Sequence, residues 1–196
     1  MNRRAALATI ACAVGFDLIG AVWFDPNQPG VIHEKFQVTL DPIAAQKAGF
    51  RMDADTVCWW MSPEQRVALD KWRGILHFPP DLALNGFSMW LDELDENDPP
   101  DPEVPEPKDG YPIKHRVLWG NGAAFDNVLL TQAYQVMNLR RPWGYSGDRC
   151  FRTMKSFPAA DAMRPPGFGV QHDAQDDAEY QARWLQNILQ AANLTL

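Results

Sequence analysis

The chain has 196 residues, 46% of them hydrophobic and 11% aromatic. This composition excludes a disordered polypeptide and suits one domain with a sizeable core. Its formal charge of −7 is concentrated between Asp92 and Gly110, where nine acids face one base, Lys108. That segment carries −8 and leaves the remainder at +1, so overall acidity does not exclude a locally basic groove for a nucleic-acid partner.

At the N-terminus, Arg3-Arg4 and the apolar run after them imitate a secretory signal. Asp17 interrupts the run, which leads into Ile19-Gly20-Ala21-Val22-Trp23-Phe24, a core-strand pattern. The run is also too interrupted for a transmembrane helix. A cytoplasmic location, of a bacterial or phage-infected cell, is therefore expected, with export as the alternative. Cys12, Cys58 and Cys150 form no C-x-x-C pair, which fits a reducing compartment and structural burial.

Residues 16–24 and 31–39 are two β-rich runs separated by Asp25-Pro26-Asn27-Gln28-Pro29-Gly30. Turn formers so dense predict an antiparallel hairpin, with 4–8 as a neighbouring strand. From Asp53 to Trp72 the pattern is helical, with Pro63 as a break or a first-turn residue. Residues 81–94 predict an amphipathic helix bearing Leu82, Leu84, Phe87, Trp90, Leu91 and Leu94 near one side. The Pro- and acid-rich stretch at 95–110 reads as a solvated loop or insertion within one domain spanning 1–196. Arg116-Val117-Leu118-Trp119 predicts a buried strand, Gly120-Asn121-Gly122 its exit turn, 124–138 a helix and 140–143 a loop. Finally, Ala178, Gln181, Ala182, Leu185, Ile188, Leu189 and Ala192 recur at helical spacing. Strands first, then alternating strand and helix, indicate an α/β fold with a mixed sheet.

Two constellations carry chemistry. His172-Asp173-Ala174-Gln175-Asp176-Asp177 sets an imidazole five residues before a carboxylate at the mouth of a helix. A hydrolase needs a base titrating near neutrality and rigid oxygen ligands for a hard cation. Asp173 and Asp176 are equally suited to cap the helix. In the second, Trp119-Gly120-Asn121-Gly122-Ala123-Ala124-Phe125-Asp126, a strand ends in a Gly-rich turn and a helix opens with Asp126 near its N-terminus. Strand-end loops of α/β sheets are where sites collect, although Asn121 could simply close the turn and Asp126 complement the helix dipole.

Together, Asn121-x-x-x-Phe125-Asp126 and His172-x-x-x-x-Asp177 resemble the second and third motifs of the DEDDh 3′–5′ exonucleases. Ile19-Gly20-Ala21-Val22, Thr56-Val57-Cys58-Trp59-Trp60 and Arg152-Thr153 resemble segments of the phage-type and bacterial branch that includes small 3′–5′ exoribonucleases. The resemblance implies a ribonuclease H-like mixed β-sheet flanked by helices. It implies release of nucleotides from the 3′ end of RNA or DNA with two Mg²⁺ or Mn²⁺ ions. By the same resemblance Asp126 and Asp177 are metal ligands, His172 is the general base, and Thr9, Asn121 and Phe125 belong to the substrate-binding set. Trp59 and Trp60 join them as stacking residues, core packing being the rival role. The expected partner is a single-stranded 3′ end or short oligonucleotide, and the tryptophan content leaves room for a homo-oligomer.

The first motif departs from this pattern. Where the family has Asp-x-Glu followed by Thr, this chain has Ala6-Leu7-Ala8-Thr9; the alternative register, at Arg3 and Ala5, supplies no carboxylate either. The resemblance thus implies an active parent with aspartate at position 6 and glutamate at position 8, and an inactive chain here. A non-catalytic relative that binds short oligonucleotides or signalling nucleotides is the alternative. Four dispersed histidines offer no zinc site, and no P-loop, dinucleotide fingerprint or serine elbow is present.

Overall fold

The computed structural model describes residues 7–11, 18–97 and 116–193. Strands β1 (Leu7–Ala11), β2 (Leu18–Phe24) and β3 (Glu34–Leu40) form an antiparallel meander, which includes the expected hairpin. In the turn between β2 and β3, the Asp25 carboxylate accepts from the Asn27 amide at 2.8 Å, and Gly30 takes a positive φ of 81°. The fully buried Gln186 pins this turn by accepting from the Gly30 amide and donating to the Asp25, Gln28 and Val31 carbonyls.

Three short strands complete the sheet: β4 (His77–Phe78), β5 (Leu118–Gly120) and β6 (Asp148–Cys150). The order is β4-β3-β2-β1-β5-β6, with β5 parallel to both β1 and β6, and β4 parallel to β3. β1 therefore lies between β2 and β5, and whatever it carries sits centrally.

Successive residues of a strand face opposite sides, and β2 is covered on both. Ile19 and Ala21 join Leu118, Leu84, Phe87, Leu91, Leu130 and Tyr134 in one core layer, beneath α4 (Pro80–Asn97) and α5 (Val128–Val136). Val22, Phe24 and Trp119 join Ala178, Ala182, Leu185 and Leu189 in the other, beneath α7 (Ala174–Ala191). The short α6 (Phe151–Met154) adds Phe151 to that second layer. The remaining helices are α1 (Pro42–Lys47), α2 (Ala54–Trp60) and α3 (Arg66–Arg73). Asp41 and Asp53 cap the first two with their carboxylates. Ser62-Pro63 separates α2 from α3, as the proline predicts.

Several expectations are corrected. Leu82 is exposed rather than part of the apolar stripe of α4, and Cys58 is exposed on α2, where Trp60 alone is buried. Helix α4 extends to Asn97, so residues 95–97 are helical rather than loop; the rest of the acidic segment, 98–110, lies outside the described residues. The strand expected from Arg116 begins at Leu118. Arg116 is only 4% exposed, and its guanidinium binds Asp92, Asp95 and the Pro142 carbonyl. Two acids from the negative stretch thus neutralise one buried cation. Among the described residues no helix is long and apolar enough to cross a membrane.

Candidate active site at one end of the sheet

Two glycines let helices approach the sheet at one end. A Cβ on Gly20 would fall inside the backbone of Ala174 and Gln175, at the start of α7. One on Gly120 would fall on the Asn127 side-chain amide and 3.0 Å from the Asp126 Cβ. The described part of the central strand reaches the level of both. Ala11 pairs with Gly20, while Ala8 and Thr9 pair with Leu118 and Trp119. Continued by one residue, that register sets Ile10 level with Gly120 and leaves Ala8 about 6.6 Å short of it along the strand. Ala6 lies outside the described residues, as does Cys12.

Asp126 lies in a wide helical turn, Ala123–Asn127, that leads into α5. Turns of this kind recur at functional sites. The residue is buried, and burial pushes its carboxyl up to about 6. Backbone hydrogen bonds from Gly122 and Asn121 and the charge of Arg152 oppose that rise without cancelling it. The next residue, Asn127, braces the turn by donating to the Leu118 carbonyl at 3.2 Å and to Asp148 at 2.8 Å. Its Oδ1, like that of Asn121, is buried and accepts no hydrogen bond from the described residues.

Asp177 lies in the first turn of α7 and is likewise pushed up to about 6. Burial is the main cause, and the neighbouring charges of Asp173 and Asp176 add to it; the His172 amide opposes them, donating to Oδ1 at 3.3 Å. Among the described residues no cation pairs with Asp177. His172 holds the left-handed backbone conformation, φ 68°, immediately before the cap residue Asp173. Burial lowers its pKa, which favours the neutral imidazole that can accept a proton.

The aromatic residues divide. Trp60 is 4% exposed, whereas Trp59 is 44% exposed and sets its ring against His172, centroids 4.9 Å apart at 82°. Phe125, beside Asp126, is 52% exposed.

Other residues support the site, one of them a cap that the sequence offered. Asp173 caps α7, accepting from the Asp176 amide at 3.1 Å, and is also bound by Lys71 at 2.9 Å and Gln37 at 3.0 Å. Lys71 reaches Asp176 as well, at 3.3 Å. One lysine on α3 therefore ties the mouth of α7 to the rest of the molecule from 105 residues away. No local pattern around Lys71 signals this role. Arg152 belongs to a dipeptide with family resemblance; its guanidinium sits 3.6 Å from where a Gly122 Cβ would stand.

Hard carboxylate oxygens suit a divalent ion. β1, between the two turns, reads Leu-Ala-Thr-Ile-Ala and offers no carboxylate. Among the described residues no three His, Cys, Asp or Glu side chains are grouped to hold a metal ion.

The family model of the Rv2179c-like 3′-5′ exoribonuclease domain matches residues 13–189, beginning after both candidate positions of the first motif. No curated protein matches the chain. Among solved structures, the nuclease domain of 3′hExo, a DEDDh family member bound to rAMP, is 15% identical, with a TM-score of 0.54 over 97% of this chain and 94% of that one. A full-length 3′-exonuclease is 12% identical, with a TM-score of 0.47 over 97% and 84%. The first of these likenesses shows the fold.

Proposed function

The chain belongs to the Rv2179c-like 3′-5′ exoribonuclease domain family and has the ribonuclease H-like mixed sheet flanked by helices. From that premise we propose that the domain is built to release nucleotides from the 3′ end of a nucleic-acid strand, and that this chain is inactive. The observation that carries the reading is the pair Asp126 and Asp177: the first buried and the second half-buried, both pushed up to about 6, and both on turns at the sheet end where Ala11 of β1 pairs with Gly20. Burying unpaired carboxylates is unfavourable, and a cation-binding site accounts for them.

In the active parent two Mg²⁺ or Mn²⁺ ions would be held by this pair and by two acids from β1, supplying hydroxide and charge neutralisation. The present residues do not complete that set. What the chain retains is the rest of the site. His172 can accept a proton from water. Trp59 and Phe125 offer exposed rings to the terminal bases, and stacking tolerates any base. The likeness to a DEDDh domain solved with rAMP supports a nucleoside monophosphate as the released unit.

The test places acids at and beside β1 in two ways: Ala6→Asp with Ala8→Glu, as the motif implies, and Ala8→Asp with Ile10→Glu, as the strand pairing that sets Ile10 level with Gly120 suggests. On a 5′-labelled single-stranded oligonucleotide with Mn²⁺, one pair should produce stepwise shortening, while the chain as written should produce none. Two folded, inert variants would overturn the reading. The carboxylate-free β1 favours a second reading, in which this chain binds a short oligonucleotide or signalling nucleotide without cutting it. Submicromolar binding in chelator, with both restored variants inert, would select that one.

A further inference from the structure

Beside the Asp126 turn, the segment after β6 gathers cations that the chemistry above does not use. The Arg152 guanidinium rests against Gly122 and acts electrostatically on Asp126. Lys155 follows, on the turn that ends α6, with its ammonium 5.6 Å from the centre of the Phe151 ring and 6.0 Å from that of Trp184. Arg164 covers the same Trp184 ring from 4.7 Å. Trp184 is itself fixed, because its indole N–H donates to the Ala160 carbonyl at 2.7 Å. Two cations are thus held on one immobile ring, and a third links them to the turn carrying Asp126.

These charges are closer together than solvated cations choose to be. Burial and the fields of Arg152 and Arg164 all lower the pKa of Lys155. Among the described residues the acids acting on Lys155 are Asp161, which pairs with Arg164 at 2.8 Å, and the Cys150 thiol. Self-repelling cations on a rigid support are stabilised by a polyanion with regularly spaced charges.

We infer that Arg152, Lys155 and Arg164 form a track for consecutive phosphates of a single strand, leading away from the Asp126 turn. The inference rests on the nuclease reading for the identity of the polyanion. A strand entering with its terminal nucleotide at Phe125 and Asp126 would meet Arg152 first, then Lys155 and Arg164. Spacing along the track, rather than base identity, would set the length of strand held.

Fluorescence anisotropy of the chain as written, with single-stranded 8-mers in chelator across a salt series, tests this. Each phosphate contact adds about 0.7 to the slope of log affinity against log salt. Lys155→Gln and Arg164→Gln should each lower the slope by roughly that amount and weaken binding about fivefold at 0.1 M salt relative to 1 M. Asp161→Asn, on an exposed side chain, should tighten binding and serves as the variant with no packing to disturb. Circular dichroism confirms that each variant is folded. Unchanged slopes in both cation variants, or polyglutamate bound as tightly as the oligonucleotide, would overturn the track. Its failure is separable from that of the nuclease reading. Hydrolysis by a β1-restored variant with unaltered slopes removes the track alone, whereas altered slopes with both restored variants inert remove the nuclease alone.

Discussion

The turns bearing Asp126 and Asp177 reach similar proton affinity by different construction. The Asp126 carboxyl is buried beneath a Gly-rich turn, with backbone amides and Arg152 drawing its pKa back down. Asp177 is less buried and is raised further by two neighbouring acids, which are themselves held by Lys71 and Gln37. One turn buries its acid beside a nearby cation; the other is a cluster of acids stabilised from outside. A shared pKa therefore conceals opposite responses to perturbation.

Glycine replacement gives the largest separation. Gly20→Ala drives a methyl into the backbone of α7, which has nowhere to go, and should destabilise by about 3 kcal/mol or more. Gly120→Ala meets chiefly the Asn127 side chain, which can shift only by giving up hydrogen bonds to Leu118 and Asp148, and should destabilise by about 1–3 kcal/mol. Urea midpoints would rank them, and equal losses would erase the distinction between a backbone approach and a side-chain approach.

Neutralising the acids comes next. Each carboxyl holds its proton more tightly folded than unfolded, so the associated stability is fully present below about pH 4 and lost as pH rises through about 6. Asp126→Asn should stabilise the fold above pH 6 by about 1–3 kcal/mol and flatten the pH dependence between 4 and 6. Asp177→Asn should do so by less, because its site is more open to solvent. Thermal unfolding between pH 4 and 8 reads both, and destabilisation by either change at pH 8 would contradict the unpaired-charge argument.

The smallest effects are on the pKa values themselves. Arg152→Gln should raise Asp126 and leave Asp177 unmoved; Asp176→Asn should lower Asp177 and leave Asp126 unmoved. Carboxyl-carbon NMR titration separates these outcomes, and movement of both groups in either variant would mean the turns are not independent.

The sequence makes plain those elements whose causes are local. The hairpin was legible because Asp25 to Gly30 is dense in turn formers, and α7 because its apolar residues keep helical spacing. Pro63 marks the α2–α3 break for the same reason. The two chemical turns were visible as motifs because a Gly-rich strand exit and an imidazole-to-carboxylate spacing are short-range patterns. What stayed hidden depends on distant partners. Strands β4 and β6 have only two and three residues and exist because neighbouring strands supply their hydrogen bonds. Lys71 is an ordinary helical lysine until folding brings it to Asp173. Arg116 looked like the start of a strand because its acids arrive from α4. The register of β1 beside β5 is likewise a property of pairing, which local pattern alone does not specify.

If the two turns are halves of one cation cradle, Mn²⁺ binding should depend on both together. Titrating Mn²⁺ into a β1-restored variant by electron paramagnetic resonance measures this directly. Binding should appear on restoration and fall at least tenfold when either Asp126 or Asp177 becomes Asn. Binding that survives both replacements would mean these carboxylates never shared an ion.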